Sequence, residues 1–272
     1  MHSVDIQMFF RIINWLRPAN PRIRVASFHT GRCGSTVLGN MARRHPQIDW
    51  RGEIFHSWCE NRLSAEDRGR IREPLDILRY QLRCCTEKVY GFETKFKHLN
   101  EHGLNLTTGE FVDELLNLGV NRFVILKRKN LLRQSISVAR GKSTQKWHYK
   151  DEEERPVPKT VSLDPHRVFL AGICGPMLER FADYEDKYRE FESLLSAKGV
   201  VAELLLKLTY EEDIEQDPTS AYRRLCEFCK VEPITFEPDL KRIHDRPLCE
   251  LLGNFAEIQQ VLEGTQYEWM LE

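Results

Sequence analysis

The chain has 272 residues, with 40 Lys and Arg against 41 Asp and Glu, for a formal net charge of −1. That balance excludes a polybasic nucleic-acid coat or membrane-surface binder, and no apolar run reaches the ~18 residues needed to cross a bilayer. A hydrophobic fraction of 41% can build a core, so the composition describes a soluble, cytoplasmic globular protein.

Residues 4–17 pattern as an amphipathic helix ended by Pro18 and Pro21. Its most apolar stretch, Ile6 to Leu16, contains Arg11 and Asn14 and lacks the small-residue cleavage site of a signal peptide. Residues 1–23 are therefore set apart as a helix and linker, with 24–272 as one domain. Arg24 to His29 reads as a short apolar strand, followed by a Gly-rich turn and a helix from Ser35 to about Arg44. Residues 59–88 are charged and helical in composition. Thr107-Thr-Gly-Glu110 has capping-box spacing and opens a helix to Leu118, with Gly119 as its stop. Arg122 to Lys127 is a continuous apolar run of the kind buried on both faces of a parallel sheet. A basic helix follows from Leu131 to Arg140, then a long loop over 141–165. A strand is predicted over Val200 to Thr209 and a helix over 218–229. Strand–turn–helix units recurring in this way predict an α/β fold, a single three-layer domain with a central parallel sheet flanked by helices.

The eight cysteines include an adjacent pair, Cys84-Cys85, which does not fit a secreted disulfide framework. Cys226 and Cys229 sit at i, i+3 on the apolar side of the last predicted helix. A zinc site of that kind needs a second pair, so the two read as buried core thiols.

The sharpest local feature is His29-Thr-Gly-Arg-Cys-Gly-Ser-Thr-Val-Leu38, which joins strand to helix. Gly31 and Gly34 let backbone N–H groups approach an anion, and the helix start adds its dipole and free donors. Ser35 and Thr36 supply hydroxyls and Arg32 a fixed charge. The nucleoside-triphosphatase loop would need G-x-x-x-x-G-K-[ST]. Here no Lys follows Gly34, and the strand at 122–127 ends in Lys127-Arg128 where a magnesium-holding strand ends in Asp. The pattern implies a ligand with phosphates at two separated points and no need of a metal.

On these residues the chain resembles the PAPS-dependent sulfotransferases, PAPS being 3′-phosphoadenosine-5′-phosphosulfate. Gly31-Arg-Cys-Gly-Ser-Thr36 is similar to their P-loop-like 5′-phosphosulfate loop, and Arg128-Lys-Asn-Leu-Leu-Arg-Gln-Ser-Ile-Ser137 to their 3′-phosphate motif. The spacing, with Gln134 between, resembles the bacterial carbohydrate branch of the trehalose and Nod-factor type. Leu208-Thr-Tyr-Glu-Glu-Asp213 with Asp217-Pro218, and the tail around Gly253 and Gly264, resemble further segments of that superfamily.

The resemblance implies that Gly31, Arg32, Cys33, Gly34, Ser35, Thr36, Arg128 and Ser137 hold PAPS and its product PAP. It also implies a homodimer. Arg32 stands where cytosolic relatives carry a catalytic Lys, which implies charge stabilisation without proton donation. Lys95 resembles a Lys near the active site of the bacterial branch. Glu53 lies in Arg51-Gly-Glu-Ile-Phe-His56, similar to a Gly-Glu motif of those relatives, and His56 falls where they carry an acidic base. Either Glu53 or His56 is then the general base.

Trp147 and His148, in the long loop, are expected to contact the acceptor, which is a sugar or glycolipid hydroxyl or a natural-product hydroxyl or amine. The rival readings are a metal-free nucleotide-dependent transferase or kinase, and a non-catalytic PAP-binding module. Nucleic-acid binding is a distant third, because the basic stretch 127–142 is balanced by acidic segments elsewhere.

Overall fold

The computed structural model describes residues 22–100, 103–144, 160–235 and 246–272. The expected N-terminal helix lies outside these residues, as do Trp147, His148 and most of the predicted loop. The described chain is an α/β structure built on five parallel strands: β1 Ile23–His29, β2 Ile48–Glu53, β3 Val89–Lys95, β4 Arg122–Lys127 and, last in sequence, Leu205–Thr209. A two-stranded hairpin, β5 Val168–Leu170 and β6 Ile173–Gly175, precedes that last strand, which is therefore β7. The sheet order is β2-β3-β1-β4-β7. From β1 the chain goes to the edge strand β2, returns to β3 beside β1, then crosses to β4 and on to β7, so the connections after β1 and β4 diverge at the carboxyl ends of the strands. In open parallel sheets a ligand crevice forms at that point.

Side-chain alternation in the strands creates two cores. Ala26, Phe28, Phe123 and Ile125 face one layer, while Val25, Val124 and Leu126 face the other. The second layer is α1 Ser35–Arg44 and the helix Pro218–Phe228 near the C-terminus. Before β3 come the short helices α2 His56–Cys59 and α3 Ala65–Arg70, then α4 Leu75–Cys84. The first layer takes α4, α5 Thr108–Asn117, α6 Leu131–Thr144 and α7 Met177–Ala197. With α7 numbered, Pro218–Phe228 is α8. It starts on Asp217 as N-cap with Pro218 in the first turn. Thr107 and Glu110 form the predicted capping box, and Gly119 takes a φ of 75° just past the helix.

Two predicted spans change. The strand expected from Val200 begins only at Leu205, since its partner β4 first pairs there through Phe123 and Ala202–Leu204 winds into a 3-10 turn instead. The loop expected from 141 begins later, because α6 continues to Thr144 and closes with Thr144 Oγ1 donating to Arg140 O. Cys226 and Cys229 are buried, free thiols, as expected. Burial pushes the Cys229 thiol up to about 12. No helix among the described residues is long and apolar enough to cross a membrane.

Candidate functional site

The turn after β1 is wound through the left-handed region, with φ of 88° at Gly31, 57° at Arg32 and 87° at Gly34. Gly34 is the N-cap of α1 and provides no side-chain cap, and the Val37 N–H bonds back to Gly34 O. A Cβ at Gly34 would stand 2.7 Å from Ile214 Cδ1, so the turn needs glycine for space as well as for φ. Cys33 is fully buried and is not part of the cavity wall, so it packs beneath the turn.

α6 grips this turn from 100 residues further along the chain. Gln134 Nε2 donates to Gly31 O (2.6 Å) and Thr30 Oγ1 (3.1 Å), and Arg32 Nε donates to Ser137 Oγ (2.9 Å). Arg128, buried at the end of β4, donates from Nη1 to Arg32 O (3.4 Å). Its guanidinium lies 4.3 Å from the Tyr210 ring centroid. Arg128 Nε makes no hydrogen bond among the described residues, and Glu211 stands 3.7 Å away. Glu211 is instead occupied by the Lys129 and Asn130 N–H groups, both at 2.9 Å. Burial lowers the Arg32 pKa, and the nearby Arg128 charge lowers it further. Arg32, Arg128 and Ser137, remote in sequence, are thus brought into one polar chain.

The ends of β2 and β3 supply a second group. Lys95 Nζ meets Glu53 Oε1 at 2.6 Å, and its Cε lies 3.2 Å from where a Gly31 Cβ would stand. Lys95 therefore packs against the glycine turn rather than standing free in solvent. Burial would raise the Glu53 pKa, but the charge and hydrogen bond of Lys95 outweigh it and lower the carboxyl below its usual range. His56 is half-exposed at the start of α2, with Nδ1 at 3.8 Å from Glu60 Oε1.

Several residues here escaped the sequence reading. His98 Nδ1 accepts the Lys95 N–H (3.2 Å), and its Nε2 faces Glu53 Oε2 at 3.7 Å. Burial depresses its pKa to about 3, so the ring is neutral. Beneath the turn, Trp50 Nε1 donates to Glu93 Oε1 (2.8 Å), and Glu93 Oε2 faces His29 Nε2 at 3.2 Å. His29 Nδ1 in turn accepts the Gly31 N–H (3.1 Å). Burial works against a charge on His29 while Cys33 and Glu93 work for it, and the balance raises its pKa. The Gly31 N–H aimed at Nδ1 nevertheless requires the proton to sit on Nε2, so this turn geometry belongs to the neutral tautomer. Glu93 was the available signal, as a carboxylate in a strand otherwise buried on both faces.

Glu53, His56, His98 and His29, Glu53, Glu93 each cluster closely enough to hold a cation. In both clusters a backbone N–H occupies Nδ1 of the buried histidine, which leaves Nε2 protonated and unable to ligate.

These groups surround a cavity of about 740 Å³ whose wall includes Arg32, Thr36, Glu53, His56, Lys95 and Gln134. Arg128 and Ser137 are not part of that wall and reach it through Arg32. No protein-family model and no curated protein matches the chain. Among solved structures it is similar to a sulfotransferase from Alicyclobacillus acidocaldarius, at 15% identity and a TM-score of 0.46, over 92% of this chain and 94% of that one.

Proposed function

We propose that this protein transfers a sulfuryl group from PAPS to a hydroxyl or amine of a small-molecule or carbohydrate acceptor and releases PAP. The observation that carries this reading is the junction of Arg32, Arg128 and Ser137. Two guanidinium groups from distant segments, Arg128 buried and Arg32 partly buried on the cavity wall, lie close enough for each charge to disfavour the other, and an anion bound between them is favoured. Gly34 and the Ser35 and Thr36 start of α1 suit the 5′-phosphosulfate, with Gly31, whose N–H is held by His29, and buried Cys33 shaping the turn. Arg128 and Ser137 suit a separate 3′-phosphate.

When bound, PAPS supplies the sulfuryl group and a phosphate leaving group. Arg32 keeps its charge and neutralises the leaving phosphate without giving up a proton. Lys95, against Gly31, adds charge at the same point. The acceptor must lose a proton as it attacks. Glu53 is held ionised and weakly basic by Lys95, so its role is to position that lysine. His56, open to the cavity, takes the proton. No metal is assigned a role, since β4 ends in Lys127-Arg128 and the buried histidines present N–H.

Calorimetric titration with PAP and ADP tests the reading. PAP is expected to bind at least about tenfold more tightly, because a charge-assisted contact contributes roughly 1.5–3 kcal/mol. Arg128→Ala should erase that difference. Equal affinity for PAP and ADP in the unmodified protein points to a kinase-like or other nucleotide-dependent transferase and refutes the assignment. Tight PAP binding without sulfate transfer to any of a broad acceptor panel points to a non-catalytic module.

A further inference from the structure

Beyond the cofactor end, the cavity wall carries more positive charge than its own carboxylates neutralise. Glu53 is held by Lys95 at 2.6 Å, and Glu60 by Arg62 at 3.2 Å. Glu93 faces His29 at 3.2 Å and accepts from Trp50. Two wall cations remain. Arg43, near the end of α1, hydrogen-bonds only the neutral amide of Asn40 among the described residues. Lys97, exposed in the turn after β3, has no side-chain hydrogen bond or ion pair among them.

Both side chains are seated by glycines on the same wall. A Cβ at Gly52 would stand 3.4 Å from Arg43 Nη1, and one at Gly172, in the β5–β6 turn, 3.1 Å from Lys97 Cβ. The stem of Lys97 is therefore packed against the hairpin while its ammonium stays available. That reduces the rotamer freedom lost on binding.

We infer that the acceptor bears an acidic group (a carboxylate, sulfate or phosphate) and that Arg43 and Lys97 receive it. This rests on the sulfotransferase reading, which already places the two cofactor phosphates at the α1 turn and at Arg128 with Ser137. Arg43 and Lys97 are left for the acceptor. A cleft with uncompensated charge of one sign concentrates ligands of the other. The opposite expectation, an amine-bearing acceptor drawn to Asp151–Glu154, concerns a segment outside the described residues.

The test titrates the PAP-saturated protein with 4-nitrophenyl β-glucuronide, the matching glucoside and the matching 2-aminoglucoside. The glucuronide is expected to bind about tenfold more tightly than the glucoside, the scale of one charge-assisted contact, with the margin shrinking at high salt. Lys97→Met and Arg43→Met should each reduce that margin severalfold and leave PAP affinity unchanged. A glucuronide that binds no better than the glucoside, including no detectable binding of either, overturns the inference. So does tighter binding of the aminoglucoside, or a margin untouched in both variants. If the unmodified protein fails to bind PAP, the cofactor assignment falls separately, and the same three ligands on the protein alone decide whether the wall selects an acidic partner.

Discussion

His29 is fully buried, and its two ring nitrogens meet different partners, Glu93 on one side and the Gly31 N–H on the other. It does not line the cavity, so any effect on ligand affinity runs through the shape of the turn. An Asn at this position places its Oδ1 close to where Nδ1 stands and can still accept the Gly31 N–H, but it cannot reach Glu93. Ala can do neither. His29→Ala is expected to weaken PAP binding about tenfold, the scale of a buried donor left without a partner, and His29→Asn to recover most of that loss. Calorimetry on the two variants decides it, because equal losses would mean the imidazole matters only as packing volume. Gly39 makes room for this network, since a Cβ there would stand 2.5 Å from Glu93 Oε1. Sequence spacing shows a glycine in α1 but not the carboxylate behind it.

Elements whose ends carry punctuation were legible. α1, α5 and β4 appear within a residue or two of their expected bounds, because Gly34, the Thr107–Glu110 box and Gly119 mark them. α7 was missed although Phe181, Tyr184, Tyr188, Phe191 and Leu195 repeat at alternating three- and four-residue steps. It starts from Pro176 without a side-chain cap, so no boundary drew attention to that periodicity. β2 was hidden by Asp49, Arg51 and Glu53, polar residues that an edge strand tolerates and a central strand does not. Two substitutions separate helix stability from the ligand turn. Thr107→Ala removes the α5 cap and should lower stability by about 1 kcal/mol in urea unfolding, leaving PAP affinity intact. Gly34→Ala places a side chain at φ 87° and against Ile214, adding strain of about 1–2 kcal/mol and a clash of about 1–3 kcal/mol. It should lower stability and also abolish tight PAP binding. Retained PAP affinity in Gly34→Ala would remove the turn from the binding site.

At the scale of the whole molecule, most of the site residues proposed here come from the carboxyl ends of the strands or the turns after them, a consequence of the parallel order β2-β3-β1-β4-β7, while Ser137 and Arg43 come from within α6 and α1. The glycine turn and the Arg128–Ser137 segment could be read from the sequence because each is contiguous. Arg32 bonding to Ser137, and the Glu53–Lys95–His98 cluster, could not, since nothing local encodes which strands lie side by side.

That cluster also gives the fold a specific acid response. His98 has a pKa near 3 when folded, against an ordinary value of 6.5, because burial disfavours its charged form. Below pH 6.5 the unfolded chain takes up a proton that the native ring refuses, so stability falls as the pH drops from 6.5 towards 3. Glu53 acts in the same direction, but only below its ordinary value of 4.5, where its depressed carboxyl begins to cost stability. Between pH 6.5 and 5 the effect of this cluster therefore belongs to His98. Urea midpoints measured across that interval should fall with acidity in the unmodified protein. In His98→Gln, which keeps an acceptor for the Lys95 N–H but does not titrate, the fall should be shallower. An unchanged slope in that variant would show that His98 is not what couples folding to protonation in this range.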